Sequence, residues 1–254
     1  MRLANLLSAG VVAGLALAVN VAPVAAQETG GITGTFVLKG ELPKLPAPLI
    51  NKDQQVCAAA PVPNQTIVVD PETKGLANVF VWIKRVNEKD IPDELKKPKE
   101  EKVVLDQKGC VFIPHCLIVR AGQSLVALNG DAVSHNVRAT LLRNGTFNDS
   151  IAPNDREGVT REMTKGEIVP MPIQCDIHPW MQAHMLVVEH PYAALSDAKG
   201  QFTIDGLPPG KYDFAVWQEA AGTLRGINAL ENVEVKAGKP ADLGKLPIDV
   251  SDLK

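Results

Sequence analysis

The stretch IQCDIHPWMQAHM, residues 173–185, concentrates side chains that bind metal ions. Cys175, His178 and Met181 follow one another at intervals of three residues. A thiolate, an imidazole and a thioether so spaced can turn towards one ion from a single loop. These soft and borderline donors suit copper, zinc or iron better than calcium or magnesium. Three donors leave a coordination position for a ligand from elsewhere in the chain.

His135 is the candidate for that position. It stands in LNGDAVSHNV, forty residues before Cys175, where another strand could bring it beside the loop. Two histidines, one cysteine and a weak axial methionine are the ligands of blue-copper electron-transfer sites. A single thiolate argues against structural zinc, which usually takes two or more cysteines, and against a binuclear copper site. The pattern predicts one type 1 copper ion.

Two neighbours of the loop leave alternatives open. Met185 competes with Met181 for the axial position, although it opens the apolar run MLVV and is more naturally a core residue. Trp180, beside His178, is either core or part of an apolar surface that meets a redox partner.

The other histidines and one more cysteine have plainer interpretations. We expect His184 and His190 to be polar residues at strand ends, and Cys116 to be a small core residue. His115, in IPHCLIV, is either a structural histidine or a supporting or second-site residue.

The elements that must position these residues are strands. Helix signals are scarce, while glycines and prolines interrupt short Val/Ile-rich runs along most of the chain, which predicts an all-β sandwich or barrel. The net charge of -3, with signs interspersed, argues against a nucleic-acid partner.

The N-terminus resembles an export signal. Arg2 precedes a weakly hydrophobic run that closes with VAA before Gln27. This predicts a cleavable signal peptide over residues 1–26, a periplasmic or secreted protein, and no stable membrane insertion. In an oxidising compartment cysteines pair. Cys57 and Cys110, both in loop-like sequence, are the expected disulfide, with the other two cysteines reduced.

Three β-rich sections follow. Residues 27–90 and 191–254 carry strand candidates around Pro-rich loops, residues 91–102 form a charged linker, and residues 103–190 contain the metal-binding pattern. We expect one small sandwich built from both chain ends with the middle section inserted in it. The alternative is three consecutive β segments in one elongated body.

The middle section resembles the cupredoxins. The spacing C-x2-H-P-x-M looks most like the short ligand loop of amicyanins, and SHNV looks like their upstream ligand segment. The resemblance implies a Greek-key β-sandwich with His135, Cys175, His178 and Met181 as copper ligands. It also implies that Asn136 directs its backbone N–H at the thiolate and ties the two ligand segments together through its side chain.

The outer sections resemble the carboxypeptidase regulatory-like, or transthyretin-like, domain. The resemblance lies in residues 31–37, 75–81 and 197–212, the last reading DAKGQFTIDGLPPGKY. The whole chain resembles exported bacterial proteins that join such a segment to a cupredoxin-like module.

The expected function is one-electron transfer with a redox partner protein, through an exposed edge of His178. The alternative is a non-redox copper-binding module, or one that binds carbohydrate or another exported protein. We do not expect an enzyme, because a copper oxidase or reductase needs an additional site built from several histidines and the chain has five in all.

Overall fold

The computed structural model describes residues 28–42 and 44–253. The predicted signal peptide, residues 1–26, lies outside the described residues. Within the described ranges, no helix is both long and apolar enough to cross a membrane.

The N-terminal section is mostly extended. Its elements are strand β1 (Gly30–Lys39), the one-turn helix α1 (Gln54–Cys57) and strand β2 (Phe80–Ile83). A 3-10 turn (Glu88–Asp90) and the one-turn helix α2 (Asp93–Lys96) follow, so the predicted charged linker begins with a short exposed helix. The guanidinium of Arg120 donates a hydrogen bond to the carbonyl of Leu95 and holds this segment against the middle section.

The middle section has nine strands. They are β3 (Lys102–Gln107), β4 (Phe112–Ile113), β5 (Cys116–Arg120), β6 (Ser124–Ala127), β7 (His135–Leu141), β8 (Gly145–Ile151), β9 (Val159–Glu162), β10 (Met171–Gln174) and β11 (Gln182–Val188).

The described part of the C-terminal section has seven strands. They are β12 (Ala193–Leu195), β13 (Gln201–Leu207), β14 (Gly210–Tyr212), β15 (Phe214–Gln218), β16 (Gly222–Leu224), β17 (Val233–Val235) and β18 (Ala241–Asp249), with 3-10 turns at Asn228–Leu230 and Val250–Asp252.

The middle section forms its own sandwich. One sheet has the order β5-β11-β10-β7-β8 and the other β4-β3-β6-β9, and both contribute to one apolar core. The expectation of an all-β fold is confirmed.

The outer sections pair with each other. Sheets of order β13-β1-β18 and β12-β2-β15-β16, with the small pair β14-β17, surround a second core. Strand β1 is antiparallel to β13 and parallel to β18, so the N-terminal strand lies between two strands from the C-terminal section. Pairing between the two chain ends is what the predicted insertion of the middle section into one outer sandwich requires.

Alternating side chains explain strand β1. From residue 32 onwards, buried residues, among them Ile32, Phe36 and Leu38, lie at even-numbered positions, whereas Thr33 and Thr35 between them are only partly buried. This period of two is expected of a strand with one face on a core. Phe36 stacks on Phe202 of β13, with ring centroids 4.9 Å apart.

Strand β11 is buried on both faces because it belongs to two interfaces. Its side chains at 183, 185 and 187 enter the core of the middle section. Leu186 and Val188 instead pack against Phe80, Trp82 and Trp217 of the outer sandwich. The second face therefore joins the two sandwiches.

A disulfide ties the N-terminal section to the middle section. Cys57, at the end of α1, bonds to Cys110, with Cα atoms 5.2 Å apart. Cys116 and Cys175 are free and buried. The disulfide holds the loop before it against the end of the middle sandwich, where Ile50 and Val56 pack on the core.

Candidate metal centre

Three strand ends bring the predicted ligands together. His135 opens β7, Cys175 directly follows β10, and His178 lies in the loop from β10 to β11. Strand β10 pairs with both β7 and β11. This pairing places the start of β7 beside the loop, although His135 and His178 are 43 positions apart.

His135, Cys175 and His178 form what we call the first cluster. The Nδ1 atoms of the two imidazoles are 2.9 Å apart, and Sγ of Cys175 is 3.9 Å from Nδ1 of His178. The cluster offers one donor atom from each residue, all within 4.8 Å of one another. All three residues are at most 2% exposed. Two imidazole nitrogens and one sulfur so close together, and shielded from water, are donors that suit copper or zinc.

A carboxylate orients each imidazole. Nε2 of His135 lies 3.0 Å from Oδ2 of Asp131, and Nε2 of His178 lies 2.8 Å from Oδ2 of Asp53. A hydrogen bond at Nε2 leaves Nδ1 free to act as a ligand, which is how outer partners fix the tautomer and direction of metal-binding histidines.

The prediction that one edge of His178 is exposed is wrong. The side chain of His178 is 0% exposed, because Asp53 and the loop around α1 cover its Nε2 side. The Asp53 side chain is itself 36% exposed, so a carboxylate stands between the imidazole and solvent.

Asn136 makes the contacts that the resemblance implied. Its backbone N–H points at Sγ of Cys175 at 3.5 Å. Its side-chain oxygen accepts hydrogen bonds from the backbone N–H groups of Asp176 at 2.8 Å and Ile177 at 3.2 Å. One side chain thus joins the β7 segment to the loop and limits how far the two can separate.

In the first cluster, the contacts of Cys175 and His135 shift their pKa values against the effect of burial. Burial raises the pKa of Cys175, but the contact with His135 and N–H groups, including that of Asn136, outweigh burial and lower it. Burial lowers the pKa of His135, whereas its contacts with Asp131 and Cys175 prevail and raise it. Burial lowers the pKa of His178 despite the opposing Asp53 carboxylate.

Met181 lies in the same tight loop. Its backbone N–H donates to the carbonyl of His178 at 2.9 Å, and its carbonyl accepts from the N–H of Cys175 at 3.2 Å. Its side chain is 1% exposed. Met185 lies in β11, opposite Met171 in the ladder, and is also buried.

Trp180 is half-buried against the first cluster. Its ring centroid is 5.0 Å from that of His178, and its Nε1–H donates to the carbonyl of Cys110 at 3.2 Å. It also lines a cavity of about 300 Å³, together with Met181. One side chain therefore connects the buried imidazole with a concave surface.

A further group of potential donors overlaps the first cluster. Cys110, Asp131 and His135 also approach within 4.8 Å of one another. Cys110 is in the disulfide and offers no thiolate, and Asp131 accepts hydrogen bonds from the N–H groups of Gly109 and Cys110. This group supports the first cluster and is not a separate site.

Sequence reasoning missed both orienting carboxylates. Asp131 had a local signal, since it precedes His135 by four residues in the turn NGD. Asp53 is 125 positions from His178, and only the disulfide at the end of α1 gave any reason to place its loop near the ligands.

Comparison with known proteins gave matches among solved structures alone. No protein-family model and no curated protein matches the chain. The amicyanin of Paracoccus versutus is 15% identical, with a TM-score of 0.29, over 42% of this chain and 96% of that one. A purple cupredoxin from Nitrosopumilus maritimus is 16% identical, with a TM-score of 0.28, over 35% of this chain and 99% of that one.

A larger protein also matches in part. The Cu-containing nitrite reductase of Thermus scotoductus SA-01 is 20% identical, with a TM-score of 0.31, over 34% of this chain. This chain spans only 22% of the length of that reductase.

Proposed function

We propose that the middle section binds one copper ion through His135, Cys175 and His178, with Met181 as the axial ligand, and that the protein carries single electrons. The observation behind this proposal is the first cluster, in which two Nδ1 atoms and one sulfur converge in a buried site. Copper bound there would supply a one-electron couple.

The chain's own residues keep the site rigid. Asp131 and Asp53 each hold one imidazole by Nε2, and Asn136 holds the loop that carries Cys175. A fixed arrangement lowers the reorganisation needed when charge changes, because few groups have to move. Burial of the ligands also keeps water away from the thiolate.

Trp180 is the proposed route to the redox partner. Since His178 is covered by Asp53, the partly exposed indole, 5.0 Å from the imidazole, is the aromatic surface next to the site. We expect Trp180→Leu to slow electron exchange with small-molecule oxidants while leaving the visible spectrum unchanged.

Export is part of the same proposal. The Cys57–Cys110 disulfide fits a periplasmic or secreted protein, because structural disulfides form in oxidising compartments. Expression of the full sequence in a bacterium, followed by N-terminal sequencing of the periplasmic product, should give a chain that starts at Gln27.

Adding one equivalent of Cu²⁺ to the purified protein tests the copper proposal. A type 1 site produces an intense visible thiolate-to-copper band, and Cys175→Ser should abolish it. His190→Gln is the control, because His190 contacts the carbonyl of Ile83 and lies outside the first cluster. A colourless product, or a band that survives Cys175→Ser, would contradict the proposal.

A further inference from the structure

A second group of metal-binding side chains lies where the two sandwiches meet. His115, Cys116 and His184 offer three donor atoms within 4.8 Å of one another, and all three residues are at most 7% exposed. The carboxylate of Glu219 lies outside this group of three but beside its two histidines. Its Oε2 atom is 2.5 Å from Nε2 of His115 and 3.6 Å from Nδ1 of His184. We call these four residues the second cluster.

The fold explains why they meet. In the parallel pair of β5 and β11, Cys116 is the direct partner of His184, so their side chains share one face of the sheet. The backbone N–H of His184 donates to the carbonyl of His115 at 2.9 Å, which fixes the residue just before β5. Glu219 comes from the outer sandwich, directly after β15. The cluster therefore draws ligands from both sandwiches.

The hydrogen bonding of the cluster is incomplete. Among the described residues, neither Nδ1 of His115 nor Nδ1 of His184 has a hydrogen-bond partner, and both atoms are buried. Buried polar atoms are almost always paired, and an orphaned one points to a bound water or ion. An ion pair between His115 and Glu219 alone would leave both atoms unexplained.

The donor types fit a zinc-class ion. Two neutral imidazoles, one thiolate and one carboxylate carry two negative charges, which a divalent cation neutralises. Structural zinc sites usually have two or more thiolates, and here a carboxylate would take the place of the second one; Zn²⁺ accepts sulfur, imidazole nitrogen and carboxylate oxygen as ligands. The thiol would release its proton to solvent as the ion binds.

Solvent can reach the cluster. The cavity of about 300 Å³ that includes Trp180 is also lined by His115 and Glu219. An ion can therefore approach this side of the cluster without separation of the two sandwiches.

We propose that His115, Cys116, His184 and Glu219 form a second metal site, which binds one zinc-class divalent ion and links the two sandwiches. This site is independent of the proposed copper function. Its ligands share no residue with the first cluster.

The test uses the full chain with Cys175→Ala, so that the first cluster lacks its thiolate. The probe is Co²⁺ alone, followed by Zn²⁺. We expect one Co²⁺ per chain, with the visible absorption of a tetrahedral ion and a thiolate-to-cobalt band, both lost on adding one equivalent of Zn²⁺. Failure to bind either ion stoichiometrically at micromolar concentration would overturn the proposal.

Variants in the same background assign the ligands. Cys116→Ser should remove the thiolate-to-cobalt band, and Glu219→Gln or His184→Gln should weaken binding at least about 10- to 100-fold, the loss typical of removing even an outer partner of a metal ligand. His190→Gln is the matched control, since His190 contacts the carbonyl of Ile83 and is not in the cluster. A band that survives Cys116→Ser would overturn the assignment.

Folding and the first site are controlled separately. Far-UV circular dichroism and a thermal melt check that each variant is folded. If Glu219→Gln does not fold, Cys116→Ser, which changes one atom, tests the ligand assignment instead. Because the thiolate of the first cluster is absent throughout, failure of the copper proposal would leave the result of this experiment unchanged.

Discussion

The carboxylate of Asp53 accepts a hydrogen bond from Nε2 of His178, at 2.8 Å, across 125 positions of sequence. The contact places a residue of the N-terminal section over the proposed copper site in the middle section. The outer section is therefore part of the environment of the site.

Asp53→Asn should raise the reduction potential of the copper-loaded protein. Removing a negative charge next to a ligand disfavours the more positive oxidised form, so the reduced form gains stability. Voltammetry of the two proteins measures the change. Asp205→Asn, an exposed site on β13, is the control and should leave the potential unaltered. An unchanged or lower potential in Asp53→Asn would show that the carboxylate does not act on the site.

The two histidines of the first cluster should titrate in a fixed order in the metal-free protein. His135 has a raised pKa because its contacts with Asp131 and Cys175 outweigh burial, whereas His178 has a pKa lowered by burial. As pH falls, His135 is therefore protonated first. Asp53→Asn should lower the pKa of His178 further, because the carboxylate opposes the effect of burial. NMR titration of the imidazole signals checks the order, and the reverse order would refute it.

Removing the Cys57–Cys110 disulfide should cost about 4 kcal/mol of unfolding free energy. The two cysteines are 53 positions apart, and the estimate is the loop-closure entropy for a loop of that length. The double variant Cys57→Ser/Cys110→Ser, compared with the native protein by urea denaturation, gives the difference. It should also release the loop that carries Asp53 and covers His178, so the His178 pKa should rise towards its ordinary value, because burial is the largest cause of its lowering. A His178 signal identical to that of the native protein would mean that the loop stays in place without the disulfide.

Replacing the two buried methionines separately should assign the axial ligand. Met181→Leu should change the visible spectrum and reduction potential of the copper-loaded protein, because the axial ligand tunes such sites. Met185→Leu should change neither and should cost less than about 1.5 kcal/mol of stability, as conservative core exchanges do. The opposite result would make Met185 the axial ligand.

Phe36→Ala should destabilise the outer sandwich by about 3–5 kcal/mol, because a fully buried aromatic ring is removed. The ring stacks on Phe202 and so connects the N-terminal and C-terminal sections. Chemical denaturation followed by fluorescence measures the loss. If the two sandwiches unfold separately, the copper band should persist after the outer one has melted.

Most of what could be predicted from the sequence rests on the spacing of residues close together in the chain. Cys175 and His178 share one loop, so the distance between them depends on a segment of only three residues. The Val/Ile-rich runs between turns likewise indicated strands, although not which strands pair with each other. The position of Asp53 depends on where its loop crosses to the middle section, and no local sequence pattern predicts that path. The alternation in β11 likewise cannot tell which face meets a second sandwich. His184 therefore looked like a polar residue at a strand end, although it lies buried 4.9 Å from the ring of Trp217.

The pairing of β1 with β13 and β18 sets an order of assembly. Strands β3 to β11 find their partners within residues 102–188, whereas β1 requires a strand that begins at Ala241. Contacts over short sequence separations form faster than distant ones. We therefore expect the middle section to fold first, with His178 still open to solvent, and the outer strands to close later. During this interval the first cluster would be accessible to an incoming ion, which the loop of Asp53 would then enclose.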